Sequence, residues 1–201
     1  MKARDHHLIV FTKNPVEGEV KTRLAKRIGT VKALEIHNAL AQKTAEILHK
    51  VQAHKSLYFS KKIENLPHWD TSCDTLEIQK GKDLGERMFN AFYDSYSKGY
   101  KKTIIIGTDL WDISAQDIHT AFDALDTHAF VFGPALDGGY YLIGMKMPHK
   151  DIFENIGWGG DKVLEDTLKK CGDKKTFLLK EKNDIDLLED LDSIDELKKL
   201  I

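Results

Sequence analysis

The sequence has little of what marks the more specialised classes of protein. Two cysteines, Cys73 and Cys171, occur in 201 residues, and their spacing is not that of metal ligands. Isolated cysteines are usually free thiols, so neither a disulfide framework nor a zinc ribbon is expected. The four prolines and 14 glycines form no linker-like tract, and no internal repeat is present. A single domain over residues 1–201 is therefore predicted.

Long apolar runs and a large charge excess are absent as well. No run approaches the roughly 18 apolar residues of a membrane-spanning helix, and the N-terminal residues lack the apolar core of a signal peptide. The net charge of −2 gives no overall field toward nucleic acid or an anionic membrane. We therefore expect a cytoplasmic protein whose partners are small molecules.

Common catalytic signatures are missing too. The nine histidines show no HxH or HExxH spacing, which argues against a zinc enzyme. No GxSxG or Cys–His pattern supports acyl transfer, and neither a Walker A motif nor a GxGxxG fingerprint occurs.

What the sequence does contain is an alternation of short apolar runs and helical patterns. Strands are predicted at residues 8–11, 56–60, 76–79, 103–107, 129–132, 140–145 and 176–179. Helices are predicted at residues 21–28, 30–51, 84–97, 114–125 and 162–170, and a last one begins at Ser193. The pairs Ser114/Asp117 and Ser193/Glu196 have the spacing of helix-capping boxes. This order predicts an α/β sandwich with a mainly parallel sheet, whose ligands bind at the carboxyl ends of the strands.

The first loop after a predicted strand is KNPVEGEVKTR. Gly18 permits close approach of a ligand to the backbone, and Lys13, Lys21 and Arg23 supply cationic donors next to a helix start. These features suit a polyphosphate. A polar turn that leads into a solvated helix explains the same residues equally well.

The second loop follows the apolar strand TIIIG. Asp109 stands at its carboxyl end, where a carboxylate faces the ligand crevice, and oxygen ligands of this kind suit Mg²⁺ or Mn²⁺. Asp112 either shares that metal or helps to cap the helix that begins after Ser114.

The third loop, GPALDGGYY, is rich in turn residues. Asp137, Gly138 and Gly139 form a DG-type hairpin turn, in which Asp137 is free to bind a substrate hydroxyl, a metal or a proton. Further along, Trp158 lies between glycines and either stacks on a base or sugar or belongs to the core. Asp184 and Asp186 are either a further metal contact or part of a solvated acidic face.

Six stretches, taken in order, resemble one bacterial family. LIVFTKNPVEGEVKTRLA, DLGERMFNAF, IIIGTDLWDIS, VFGPALDGGYYLIGM, IFENIGWGGDKVLEDTL and DIDLLEDL are similar to the DUF2064 proteins, which are described as GT-A-type glycosyltransferases. The family looks related to the nucleotidyltransferases that make molybdopterin and F420 precursors. The resemblance extends from about Leu8 to Leu191, so it covers nearly the whole chain.

The resemblance implies a nucleotide-diphospho-sugar transferase fold, a three-layer α/β/α sandwich. It further implies phosphate contacts by Lys13, Lys21 and Arg23, and a metal on Asp109 that Asp186 also reaches. Asp137, Gly138 and Gly139 would lie on the acceptor or sugar side.

The chain also departs from the family pattern. Trp111 replaces a proline and is expected to reshape the crevice wall, Leu136 replaces an acidic residue, and Gly159–Gly160 replaces a pair with a hydroxyl group. A metal-dependent glycosyltransferase that uses a nucleotide-diphosphate sugar is the leading expectation, with Asp137 acting on the acceptor hydroxyl. The alternatives are a nucleotidyltransferase that releases pyrophosphate and a nucleotide-binding protein without turnover.

Overall fold

A computed structural model of the protein describes residues 5–201, which form one seven-stranded sheet and six α-helices. The strands are β1 (His6–Thr12), β2 (His54–Phe59), β3 (Thr75–Ile78), β4 (Lys102–Ile106), β5 (Phe130–Pro134), β6 (Tyr140–Met145) and β7 (Thr176–Leu178). The helices are α1 (Thr22–Ile28), α2 (Thr30–Leu48), α3 (Leu84–Ser97), α4 (Ala115–Ala124), α5 (Val163–Cys171) and α6 (Asp195–Lys198). All seven predicted strands are present, so the alternation in the sequence identified the class of fold correctly.

The sheet is mixed and mostly parallel. Its order is β3-β2-β1-β4-β6-β5-β7, and β6 alone runs antiparallel to its neighbours within the described chain. The centre is in tight register, with Leu8 of β1 opposite Lys55 of β2 and Ile104 of β4. Because β1, β2 and β4 are parallel, their carboxyl ends meet at one edge of the sheet.

Helices cover both faces of the sheet, which makes the three-layer sandwich. Alternate residues of each strand point to opposite faces. One core joins Leu8, Val10 and Ile104 to helices α2 and α4, while the other joins Ile9 and Ile105 to α3 and α5. Burial on both faces explains why strands such as 103–106 read as continuous apolar runs.

A third cluster attaches the C-terminal segment to α1 and α2. Leu24, Ile36 and Leu40 pack there against Ile185 and other apolar residues of the last seventeen positions. Trp111 packs on the same cluster, and the Lys43 Nζ atom lies 5.1 Å from the centre of its ring. The segment that carries Asp184 and Asp186 is thus fixed to the molecule by hydrophobic contacts.

Two predicted helix starts differ from the structure. Ser193 does not cap the last helix, because it is the last residue of a 3-10 helix (Glu189–Ser193). The buried Ile194 lies between that helix and α6 and is the residue at the start of α6. Helix α2 follows Gly29 directly, and the Thr30 hydroxyl donates to Glu17 Oε1 at 2.5 Å instead of capping the helix. The Ser114/Asp117 capping box is confirmed in full.

Across residues 5–201, none of the helices combines the length and the apolar character needed to cross a bilayer.

Candidate nucleotide site

A cavity of ≈ 670 Å³ lies at the carboxyl edge of the sheet. Lys13 enters it from the loop after β1, Lys61 from the loop after β2, and Asp109 from the loop after β4. The turn between β5 and β6 adds Asp137, and the glycine-rich segment before α5 adds Trp158. Five separate loops therefore converge on one space, as the parallel arrangement of the central strands requires.

The most concentrated charge of the site is an ammonium held by two carboxylates. The Lys21 Nζ atom donates to Asp109 Oδ1 and, at 3.2 Å, to Asp186 Oδ1. The Lys21 side chain is only 3% exposed, whereas those of Asp109 and Asp186 are 48% and 41% exposed. Arg23 is a looser neighbour, with its NH1 atom 3.7 Å from Asp186 Oδ2. The two carboxylates thus face both the buried lysine and the cavity.

Both partners of the Lys21–Asp109 pair remain charged. Burial alone would lower the pKa of Lys21, but the adjacent Asp109 and Asp186 carboxylates outweigh it and raise that pKa above its usual range. Burial alone would raise the pKa of Asp109, and the Lys21 ammonium reverses that effect and holds it low. The pair is therefore ionised throughout the neutral pH range.

The backbone fixes the positions of these three side chains. Lys21 precedes helix α1 in a left-handed conformation, with φ 46° and ψ 44°. The Ile185 N–H donates to the Asp109 carbonyl at 2.9 Å, which ties the C-terminal segment to the loop after β4. Asp190 accepts the Asp186 N–H at 2.9 Å and so shapes the turn that presents Asp186.

Two further carboxylates make this side of the cavity strongly acidic. Asp137 and Asp184 both line it, and the Gly139 N–H donates to Asp137 Oδ1 at 2.9 Å. Burial, followed by the charges of Asp109 and Asp137, raises the pKa of Asp184 to about 7. The sequence left Asp184 open between a metal contact and a solvated acidic face. The packing of the C-terminal segment brings it into the cavity lining.

Cationic side chains line the cavity as well. Lys13, Lys61 and Arg87 line it, and the last two were not singled out in the sequence. Asn14 holds the loop of Lys61 in place, since its Oδ1 accepts the Lys61 N–H at 2.9 Å and its Nδ2 donates to the Lys62 carbonyl at 2.8 Å. The Lys61 ammonium pairs with Glu19. No short motif marks these residues, because they come from two loops and from helix α3.

A buried histidine forms a hydrogen bond to the backbone of the first loop. His37 lines the cavity, and its Nε2–H donates to the Lys13 carbonyl at 3.3 Å. Burial lowers the pKa of His37, so the ring is neutral at pH 7. Across the site, the Gln79 side-chain amide donates to the carbonyls of Thr12 and Tyr58, at 3.2 and 2.9 Å, and joins the ends of β1 and β2.

The glycine-rich segment before α5 closes one side of the cavity. Trp158 packs on Gly85 of α3 so tightly that a Cβ at Gly85 would lie 2.5 Å from the indole. Gly138 is in equally close contact with Asp161, whose carbonyl oxygen would lie 1.9 Å from a Cβ at that position. Trp158 therefore packs against the core and also lines the cavity, and its stacking on a base or sugar stays a prediction.

The structure brings together most of the residues that the sequence singled out, but not all. Lys13, Asp109, Asp137, Gly139 and Asp186 line the cavity, whereas Gly18, Lys21, Arg23 and Gly138 do not belong to its lining. The expectation that Trp111 reshapes the crevice wall is wrong, because this ring packs against the C-terminal segment.

Asp112 takes neither of its two predicted roles. It lies outside the cavity lining and pairs with Lys182, whose Nζ atom is 3.2 Å from Asp112 Oδ2. The cap of α4 is Ser114. Leu136 is 61% exposed and also lies outside the cavity lining.

The donor set fits a divalent cation that is completed by other ligands. Among residues 5–201, no group of three or more His, Cys, Asp or Glu side chains is arranged to hold a metal by itself. Asp109 and Asp186 nevertheless direct oxygens at one point, which the Lys21 ammonium occupies. Mg²⁺ commonly binds through one or two carboxylates, with water and substrate phosphates as its other ligands.

Solved structures share this fold. A protein from Desulfovibrio desulfuricans G20, assigned as a nucleotide-diphospho-sugar transferase, has a TM-score of 0.86 and 30% identity over 93% of this chain and 84% of its own. The 4-diphosphocytidyl-2C-methyl-D-erythritol synthase of Anaerococcus prevotii DSM 20548 has a TM-score of 0.59 and 11% identity, covering 98% and 97% of the two chains. The inositol-1-phosphate CTP transferase of T. maritima has a TM-score of 0.57 and 14% identity over 98% and 96%.

The last two likenesses establish the fold alone, since their identities are low. No match is found among curated proteins. A profile described as "Uncharacterized protein conserved in bacteria (DUF2064)" matches residues 38–160, which is more than half of the chain and includes β2 to β6. Together with the 30% identical relative, this match shows that the chain belongs to the DUF2064 family and has the nucleotide-diphospho-sugar transferase fold.

Proposed function

We propose that the protein is a glycosyltransferase that moves a sugar from a nucleotide-diphosphate sugar to a hydroxyl of a small acceptor. The observation that carries this proposal is that cationic side chains and a cluster of carboxylates line the same cavity. A diphosphate needs cations along its length, and an acceptor hydroxyl needs a carboxylate that can take its proton. The 30% identical relative is assigned to the same class of transferase.

Three cations that line the cavity would bind the diphosphate, namely Lys13, Lys61 and Arg87. Arg23, whose side chain is 58% exposed beside Asp186, would reach the same phosphates from the rim. Mg²⁺ or Mn²⁺ on Asp109 and Asp186 would supply further positive charge to the diphosphate as it leaves the anomeric carbon. Because the cations come from separate loops and helices, they would fix the orientation of the diphosphate as well as neutralise it.

Among the carboxylates that line the cavity, Asp137 would orient the acceptor. In the transfer, the acceptor oxygen bonds to the anomeric carbon, the bond from that carbon to the diphosphate oxygen breaks, and the hydroxyl proton passes to a carboxylate. Asp137 lines the cavity, and its Oδ1 is held by the Gly139 N–H. A carboxylate held in this way keeps one geometry toward the incoming hydroxyl.

The binding step is tested by thermal unfolding with UDP-, GDP-, CDP-, ADP- and TDP-sugars in the presence of Mg²⁺ or Mn²⁺. One of them, at about 100 times its dissociation constant, should add about 2.7 kcal/mol of stability, or roughly 5–10 °C in melting temperature for a chain of this size. Asp109→Asn should abolish the metal-dependent part of the shift. Asp112→Asn is the matched control, since Asp112 is on the same loop but outside the cavity lining. Equal shifts in both variants would contradict the assignment of Asp109.

The products distinguish the proposal from its alternatives. A nucleoside diphosphate released with transfer of the sugar supports the glycosyltransferase. Pyrophosphate released from a nucleoside triphosphate would identify a nucleotidyltransferase, whose phosphoryl chemistry uses the same kind of positioning and charge neutralisation. Metal-dependent binding without any product, unchanged in Asp137→Ala, would identify a binding protein.

A further inference from the structure

Lys21 occupies the point at which a divalent cation would bind. Its ammonium contacts Asp109 and, at 3.2 Å, Asp186, and both contacted oxygens are the Oδ1 atoms that converge on this point. Its side chain is 3% exposed, so the charge is screened from solvent, and Asp109 and Asp186 are its ion-pair partners. Asp109 and Asp186 therefore already have a cation, which the chain itself supplies.

The backbone at Lys21 is an independent sign of a special position. Within residues 5–201, only Lys21 and Asn155 have a positive φ among residues other than glycine. A left-handed conformation is strained for a residue with a side chain, and such residues concentrate at binding and switching sites. The strained turn is what directs the Lys21 side chain inward to the carboxylates while α1 continues outward.

An ammonium and a divalent ion cannot share these oxygens. Like charges at contact distance repel strongly in a largely desolvated site, and the double charge of the metal increases the repulsion. Lys21 must leave when the metal enters. A displaced lysine in a buried position needs another anion, and the cavity beside it is where the proposed diphosphate binds.

We propose that Lys21 is an internal competitor of the divalent cation at Asp109 and Asp186. The metal enters as the Lys21 ammonium leaves, and the ammonium then moves to the phosphates of the nucleotide. Metal and nucleotide thereby favour one another's binding through a single lysine. This inference rests on the metal site of the proposed function, but it concerns the resting state of the protein and can be tested without turnover.

The first test is a titration with Mn²⁺ alone, followed by electron paramagnetic resonance of the free ion. Lys21→Met removes the competing charge and should bind Mn²⁺ about 5- to 150-fold more tightly than the wild type, the usual range of coupling between two ligands. Lys26→Met is the matched control, because it removes the same charge from an exposed position on α1. It should bind Mn²⁺ as the wild type does.

The second test uses the wild-type protein, so it does not depend on the folding of a variant. Acetylation of lysines, measured residue by residue by mass spectrometry, should be slow at Lys21 and should accelerate when Mn²⁺ is added. Lys26 is the internal control and should react equally in both states.

Equal Mn²⁺ affinity in wild type and Lys21→Met, or unchanged acetylation of Lys21, would overturn the inference. Absence of Mn²⁺ binding in every variant would overturn it as well, together with the metal site of the proposed function. Nucleotide-sugar binding would still be judged separately, by its thermal shift without metal, so failure of this inference and failure of the proposed function are distinguishable.

Discussion

At the scale of single residues, Gly138 joins two parts of the site that lie far apart in the sequence. It belongs to the turn that carries Asp137, has φ +88°, and lies against the backbone of Asp161. Its carbonyl also accepts the Leu164 N–H at 2.9 Å, which attaches the turn to the start of α5. Gly138 thus holds the Trp158 segment against the hairpin, whichever ligand the cavity binds.

Gly138→Ala should be strongly destabilising. A Cβ would lie 1.9 Å from the Asp161 carbonyl oxygen, and the left-handed backbone adds strain of its own. Together these effects should lower the free energy of unfolding by about 2–4 kcal/mol, as measured by urea denaturation. Gly157→Ala in the same segment is the control, because its Cβ would meet nothing within 4 Å. It should change stability by less than about 0.5 kcal/mol, and similar losses in the two variants would refute the packing role.

The sequence predicted individual site residues only where one loop contained its own signal. Asp109 follows an apolar strand and Asp137 lies in a glycine-rich turn, so both were predicted. Lys61 and Arg87 have no such neighbours and reach the cavity only because β2 and α3 lie beside β1 and β4. The pairing of Lys21 with a residue 165 positions away could not be read from the chain either.

At the scale of elements, helix starts separate what the sequence determines from what packing determines. At α4, Ser114 Oγ accepts the Asp117 N–H at 3.2 Å and Asp117 Oδ2 accepts the Ser114 N–H at 2.8 Å. The same spacing recurs at Ser193 and Glu196, yet packing of Leu191 and Leu197 places the start of α6 elsewhere. A capping motif therefore predicts a cap only when tertiary contacts leave the serine at the junction.

Replacing the two serines should have different effects. Ser114→Ala removes the cap of α4 and should lower the free energy of unfolding by about 1 kcal/mol, within the usual range of about 0.5–2. Ser193→Ala removes no cap hydrogen bond and should change stability by less than about 0.5 kcal/mol. Urea denaturation of both variants checks this. Equal losses of unfolding free energy would contradict the assignment of a cap to Ser114 but not to Ser193.

At the scale of the whole molecule, a chain of buried hydrogen bonds crosses the sheet at the end opposite the cavity. His7 of β1 bonds through Nδ1 to Ser95 and through Nε2 to Ser56, both at 2.7 Å. Ser56 bonds to Thr75 of β3 and Ser95 to Thr103 of β4. The network thereby links four neighbouring strands and helix α3 through one imidazole.

The network predicts a loss of stability in mild acid. Burial lowers the pKa of His7 to about 3, below its value of 6.5 in the unfolded chain. Between these two pH values His7 is protonated in the unfolded chain but not in the folded protein. The contribution of His7 to the free energy of unfolding is therefore fully present above pH 6.5 and is lost as the pH falls toward 3. Each pH unit in that window costs about 1.4 kcal/mol per proton.

Urea denaturation at pH 7, 6 and 5 should therefore give a shallower pH dependence in His7→Gln than in the wild type, by about one proton. Ser114→Ala, which removes a hydrogen bond but no titrating group, should keep the wild-type slope. Parallel slopes for His7→Gln and the wild type would exclude His7 as the titrating group.

The antiparallel strand β6 has one further consequence for the family. Residues 135–139, which carry Asp137, form a hairpin between β5 and β6, and no crossover helix passes through them. The pairing of β1 with β2 and β4 does not involve this hairpin. On the proposed function, a relative that keeps Gly138 and the length of this turn could therefore meet a different acceptor through other side chains there, with the loops that carry Lys13, Lys61 and Asp109 unchanged.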